Sequence, residues 1–326
     1  MRLPLARKFA SGRRLIRGLR AYDPKRRRSR LPGPTSIQIQ TTDRCNAACA
    51  MCPYSSRVRT GPANEMPDAL FTRILEGLRE TGAIRSICLM LQNEPLLDRR
   101  LHERVRQIRR LLPGVFVTTV TNASLLTPDR ADELLASGLD HISVSIDAAT
   151  EASYAQIRKG LDFAKVVRHT EALLQRTGGR RVNVKFLRQR ANQGEERAFA
   201  RRWRPLGATV TFEPLTNRAG TLDGFERMRA GRRGLLRAAA TGVLNRVYPR
   251  CPLPFARMAV LWDGRVILCC HDWEPRDVLG DLSTQSVAEV WNGEPMNRYR
   301  HLLWTKRPSE SLICRDCSLA KRFWNL

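Results

Sequence analysis

Cysteines stand at Cys45, Cys49 and Cys52, in the run Cys45-Asn46-Ala47-Ala48-Cys49-Ala50-Met51-Cys52. This spacing gathers three thiolates on one loop, a donor set for a metal or an iron-sulfur cluster, and leaves one coordination position open. Structural zinc takes four protein ligands, whereas a four-iron cluster on three cysteines presents its remaining iron to an outside ligand. A second set follows later in the chain: Cys251, then Gly264-x4-Cys269, then Cys314-Arg315-Asp316-Cys317. Those four thiolates complete a closed site that suits zinc or a cluster. Of the nine cysteines, Cys88 and Cys270 remain. Cys88 lies in the apolar run from Ile87 to Leu91 and reads as a buried, inert thiol. No secretory signal is evident in the N-terminal residues, so a reducing cytoplasm is expected, where such clusters are metal or redox sites rather than disulfides.

The elements around these residues alternate. β-rich runs at 36–42, 84–91, 115–121, 141–147, 181–187 and 208–213 are separated by helical runs at 67–80, 98–112, 127–136, 163–176 and 193–204. That order predicts βα units and a parallel sheet. Six units fall short of the eight that close a barrel, so the expected fold is α/β, a partial (βα)6 TIM-like barrel with its chemistry at the carboxyl ends of the strands. Residues 214–250 read as a connector. From 251 to 326 the pattern changes to a small β-hairpin, 258–262 and 266–270 around Asp263-Gly264-Arg265, followed by helices near 286–291 and 297–304.

Charge is less decisive than it first looks. The chain has 326 residues with 57 Lys plus Arg against 31 Asp plus Glu, a formal net charge of +26. Residues 1–30 hold twelve of the basic residues against Asp23 alone, so 1–35 form a basic arm and linker that can touch an anionic surface or partner. Fifty of the 57 are arginine, which GC-rich codon usage would produce without selection for binding. Aromatics at 6% carry no interleaved stacking set, which disfavours an RNA-binding or RNA-modifying protein. No apolar run approaches the ~18 residues of a membrane helix.

The first cysteine run, lying just past the first strand, resembles the CxxxCxΦC signature of radical S-adenosylmethionine enzymes. The resemblance implies a [4Fe-4S] cluster on Cys45, Cys49 and Cys52 that binds S-adenosylmethionine, with Met51 near the adenine. By position it also implies that Glu94, in Gln92-Asn93-Glu94-Pro95, holds the methionine amine. Asn122, Ser145 and Asp147 at the next strand ends face the cofactor or substrate, and Arg158 pairs with the cofactor carboxylate. The second set resembles the SPASM extension in its shortened, twitch form, which implies an auxiliary [4Fe-4S] cluster on Cys251, Cys269, Cys314 and Cys317. Cys270 is then a candidate hydrogen-atom donor or a packed neighbour, and Asp272 and His271 are candidate bases.

These resemblances imply an enzyme that abstracts a carbon-bound hydrogen from a small polar metabolite such as a sugar, aminocyclitol or nucleoside-like molecule. It would be served by a reductant such as flavodoxin or ferredoxin, and the outcome is dehydrogenation, epimerisation or decarboxylation. A peptide maturase is the alternative.

Overall fold

The computed structural model describes Tyr22 and residues 30–56, 63–231 and 249–322. The basic arm, apart from Tyr22 and Arg30, and most of the connector's second half lie outside the described residues. The parallel strands are β1 (Ser36–Ile39), β2 (Ser86–Cys88), β3 (Phe116–Thr121), β4 (His141–Ser145), β5 (Val182–Arg188) and β6 (Thr209–Pro214), each paired with the next. Between them run α1 (Asp68–Thr81), α2 (Leu101–Leu111), α3 (Pro128–Ala136), α4 (Glu151–Ile157), α5 (Phe163–Thr177) and α6 (Glu196–Trp203). The sheet does not close, so the expected partial barrel is present. The hairpin strands β7 (Arg257–Val260) and β8 (Arg265–Ile267), with the short β9 (Gly280–Asp281), extend the same sheet in the order β6-β5-β4-β3-β2-β1-β7-β8-β9. β7 lies parallel to β1, from Ser36 opposite Arg257 to Ile39 opposite Val260. Helices α7 (Phe225–Met228), α8 (Val287–Asn292), α9 (Glu294–Trp304) and α10 (Ser318–Arg322) complete the described α-helices, and short 3-10 turns join several elements.

Helix starts and stops follow local chemistry. Thr127 and Asp162 cap α3 and α5 by accepting from the backbone N–H of Arg130 and Lys165, and Pro128 opens α3 where its missing N–H costs nothing. Gly82, at φ 60°, ends α1 in the left-handed conformation that a residue without Cβ adopts freely. α1 buries Leu70, Phe71, Ile74, Leu75 and Leu78, one helical face laid on the sheet.

Strand alternation decides what the barrel encloses. On β1, Ile37 and Ile39 are buried while Ser36 and Gln38 are half-buried. The inward positions of successive strands are Ser36 and Gln38, Ser86 and Cys88, Thr118 and Val120, Ser143 and Ser145, then Lys185 and Leu187. Closed barrels fill this space with layers of branched apolar side chains. Here small and polar residues leave it hollow.

Two buried arginines tie loops at the sheet to the helices that cover it. Arg104, 2% exposed, donates through Nε to Asp98 at 2.7 Å and through Nη2 to the Met66 carbonyl at 2.7 Å, which fixes the loop after β2 to α2. Arg300 donates to the Pro254 and Trp291 carbonyls at 2.9 and 2.7 Å, with its guanidinium 4.2 Å from the Trp291 ring centroid. It ties α8 and α9 to the loop that begins at Cys251. Among the described residues no helix is long and apolar enough to cross a membrane.

Candidate active site

Cys45, Cys49 and Cys52 follow β1 and line a cavity of about 630 Å³ inside the open barrel. That volume falls in the ~300 to 1,000 Å³ range of small-molecule sites. The loop is strapped on two sides. Ala48 and Ala50 donate to the Lys159 and Ile157 carbonyls at 2.9 Å each, just past and at the end of α4. On the other side Glu94 N–H reaches the Arg44 carbonyl at 2.8 Å, and the Asn122 amide donates to Asn46 Oδ1 at 2.9 Å. Met51 is buried with Ala47, Cys49, Ile157, Leu215 and Leu222.

Burial pushes the Cys45 thiol up to about 12 and raises Cys52 as well, so free thiolates are unfavourable here without positive charge from bound metal. Among the described residues no three His, Cys, Asp or Glu side chains converge as around a single ion. A four-iron cluster takes each thiolate on a different iron, so the donor set and the hollow beside it fit a cluster.

The ends of β2, β3 and β4 form the next wall. Glu94 is 2% exposed and accepts from the Thr121 hydroxyl at 2.5 Å, the Asn122 N–H at 2.8 Å and the Leu96 N–H at 3.2 Å. Burial nevertheless raises its carboxyl to about 7. Asp147 takes a left-handed φ of 65°, rare for a residue with a Cβ and the kind of strain found at functional sites. Its carboxylate accepts from Leu187 N–H at 2.7 Å and pairs with Arg158 Nη2. Arg158 Nη1 lies 3.6 Å from Cys49 Sγ. Burial opposes the Arg158 charge, but the Asp147 carboxylate and Cys49 keep its pKa raised. Arg158 thus braces the cysteine loop against Asp147, in addition to facing the cavity where its expected carboxylate partner would sit. Asn122 and Ser145 line the same cavity.

Cys251, Cys269, Cys314 and Cys317 line a second, apolar pocket with Leu253, Leu268, Leu303, Ile313 and Leu319. Burial raises all four thiols, Cys314 to about 12. Four sulfur donors in a dry pocket fit an iron-sulfur cluster and require a counter-charge for the same reason as above.

The segment after Cys269 turns from one site to the other. Cys270 and His271 line the barrel cavity. His271 is kept neutral, its pKa driven down to about 3 by burial, with Nδ1 3.4 Å from the Thr216 hydroxyl. Asp272, the expected base, is not in the cavity wall. It is fully buried, its carboxylate is favoured by the charge and backbone N–H of Arg276, and its own charge acts on Cys314. Burial raises its carboxyl to about 7. Its carbonyl accepts from Gln92 Nε2 at 2.8 Å, which couples the Glu94 loop to the C-terminal segment.

Cys88 also departs from its sequence reading. It is half-buried in the cavity wall, because Ile87 takes the outward, helix-facing position and the next residue must face inward. Arg218 carries no sequence signal, because its turn has no periodic pattern. Arg257, Lys185 and Glu213 also line the cavity, and strand alternation alone would have nominated them.

Comparison with known proteins follows the same division. The radical SAM superfamily model matches residues 39–184, and an iron-sulfur cluster-binding domain model, SPASM, matches residues 251–318. The PqqA peptide cyclase of Gluconobacter oxydans is 27% identical over 314 residues, covering 89% of this chain and 84% of that protein. The S-adenosyl-L-methionine-dependent 2-deoxy-scyllo-inosamine dehydrogenase of Niallia circulans is 21% identical over 289 residues, covering 86% and 92%. Among solved structures, BtrN in complex with AdoMet and 2-DOIA aligns with a TM-score of 0.59 at 19% identity over 87% of this chain and 92% of that one. Streptococcus suis SuiB bound to precursor peptide SuiA gives 0.69 at 14% identity over 96% and 74%.

Proposed function

This chain belongs to the radical S-adenosylmethionine superfamily and carries a SPASM-type iron-sulfur domain, and on that premise we propose that it oxidises a small polar metabolite at a carbon-bound hydrogen. Its cofactors are a [4Fe-4S] cluster, S-adenosylmethionine and an auxiliary [4Fe-4S] cluster. When bound, they supply a 5'-deoxyadenosyl radical that takes the hydrogen atom and a sink for the second electron. In this reading Cys45, Cys49 and Cys52 hold the first cluster, and Cys251, Cys269, Cys314 and Cys317 the auxiliary one. Glu94, held by its three donors, orients the methionine amine. Met51, Asn122 and Ser145 shape the cofactor's berth, and the Asp147–Arg158 pair keeps the cysteine loop in register.

The observation that carries the proposal is the shared wall. One cavity is bounded by the radical-site cysteines and by Cys270 and His271, the residues directly after auxiliary cysteine Cys269. A substrate held there lies between a hydrogen acceptor and an electron acceptor. Neutral His271 offers a ring nitrogen that can hydrogen-bond a substrate hydroxyl and so orient it in the cavity. The match to the inosamine dehydrogenase over 92% of that protein's length supports a small-molecule substrate, while the PqqA peptide cyclases keep a peptide substrate as the second reading.

The test is anaerobic reconstitution followed by assay of 5'-deoxyadenosine and product against candidate metabolites and short peptides. Cys270 separates oxidation from epimerisation, because its thiol faces the cavity. The expected result in deuterated water is an oxidised product with no solvent deuterium at the reacting carbon, and Cys270→Ala should keep at least about half the wild-type rate. Deuterium in an inverted product that disappears in Cys270→Ala would assign epimerisation instead.

Glu94 sets a pH dependence. Its carboxyl titrates near 7, and only the ionised form pairs with an ammonium group. S-adenosylmethionine should therefore bind more tightly as pH rises, with a Kd falling about tenfold from pH 6 toward pH 7.5. Glu94→Gln should bind weakly with a flat profile over that range, measured by equilibrium binding under argon.

A further inference from the structure

The charges facing the cavity do not balance. Arg158 is paired with Asp147, and Lys185 with Glu213 at 3.0 Å. Glu94 is satisfied by neutral donors. Arg218 and Arg257 also line the cavity, and among the described residues neither has a carboxylate partner. Arg218 also acts on the Cys52 thiol, but neither guanidinium has a carboxylate of the described residues against it, and two of them facing one partly desolvated space are an arrangement that a bound acid group relieves.

Both come from built positions. Arg257 begins β7, opposite Ser36 in the register, and shares the inward face of that strand with Ala259. It acts electrostatically on Cys88 on one side and on His271 on the other. Arg218 reaches the same histidine from a different part of the chain. Its turn holds two successive non-glycine residues in the left-handed region, Arg218 at φ 50° and Ala219 at φ 56°, a conformation that persists only where the surroundings impose it. They do so here. Asn217 donates to the Asp316 carbonyl at 2.6 Å and accepts from Ser318 N–H at 2.8 Å, and Arg276 donates to the Ala219 carbonyl at 3.0 Å. Arg218 Nε is buried, with no acceptor among the described residues. The guanidinium is therefore held in the wall with a donor unused.

We propose that the substrate carries an acid group, a carboxylate or a phosphate, clamped by Arg257 and Arg218 at the wall of the cavity shared with His271. This rests on the reading above that the cavity holds the substrate, and it narrows the class. A sugar acid or sugar phosphate fits, whereas an aminocyclitol, cationic at neutral pH, would be repelled. The planar forks of two arginines match the paired oxygens of either anion.

The test separates the anion site from the enzymology. Reconstituted full-length holoenzyme is titrated calorimetrically with inorganic phosphate and with formate in 0.15 M sodium chloride, a salt level that suppresses binding to exposed arginines. One saturable site is expected. Its affinity should fall at least about tenfold in Arg257→Gln and in Arg218→Gln, stay unchanged in the exposed-residue control Arg201→Gln, and recover in part in Arg257→Lys. Preference for phosphate or for formate then identifies which anion the substrate bears. No saturable site for either anion, or a site that survives in Arg257→Gln, overturns the proposal. Loss of 5'-deoxyadenosine formation with the anion site intact would instead sink the oxidase reading and leave this one standing.

Discussion

Cys49→Ala should form no measurable 5'-deoxyadenosine, at most about a thousandth of the wild-type rate, and should lose about four irons per chain on anaerobic reconstitution. The size of the effect follows from the open coordination of the site. With three protein thiolates and one iron reserved for an outside ligand, the loop has no spare donor. Cys88 faces the same cavity but stands on β2, whereas Cys45, Cys49 and Cys52 share one loop, so it is not positioned to substitute. The fold should survive. The loop's straps run through Ala48, Ala50, Asn46 and the Arg44 carbonyl rather than through the thiols, and Arg158 keeps Asp147 after losing its Cys49 contact. Far-UV circular dichroism should therefore match wild type. Cys88→Ala serves as the control: it removes a cavity thiol and should leave iron content and cofactor cleavage unchanged. Equal iron loss in both variants would mean that the cluster is not held where the three-cysteine loop places it.

The cysteine chemistry was legible in the sequence because it is local. Residue type and spacing within eight positions define the first site, and Gly264-x4-Cys269 with Cys314-x2-Cys317 define most of the second. The six βα units were legible for a related reason, since the apolar period of each helix is local and α3 and α5 also carry their own side-chain caps. What escaped was anything that depends on which way a residue faces. Cys88 looks like core in an apolar run, yet it faces a hollow, because the barrel's interior positions are mostly serine, threonine and glutamine, with Val120 and Leu187 the aliphatic exceptions among those named. Asp272 and His271 are neighbours with equal claim to be a base until a single turn of backbone sends one toward Cys314 and the other into the cavity. The pairing of β7 with β1 joins residues more than two hundred positions apart. Hairpin signals around Gly264 announce β7 and β8 but say nothing about the strand they dock beside.

That docking sets the second large effect, on the auxiliary site. Cys317→Ala should lower reconstituted iron from about eight to about four per chain. It should also end substrate oxidation while slow, substrate-free cleavage of S-adenosylmethionine continues. The two readouts separate because the radical-site cysteines sit on the loop after β1, whereas Cys317 lies in the second, apolar pocket, away from the barrel cavity. Cys317 is buried, and its neighbours Asp316 and Ser318 hold Asn217, directly before Arg218. Gly220 in the same turn approaches so closely that a Cβ there would stand 3.0 Å from that of Asp316. Emptying the auxiliary site therefore removes the sink for the second electron and also loosens the turn that presents Arg218. The two losses differ in kind. Without the sink, substrate still binds and still loses its hydrogen atom, so 5'-deoxyadenosine forms without oxidised product. Without the turn, phosphate or formate binding weakens as it does in Arg218→Gln. If zinc fills the four-cysteine site and oxidation proceeds unchanged, the electron must leave by another route, and the shared wall would serve to shape the cavity rather than to conduct.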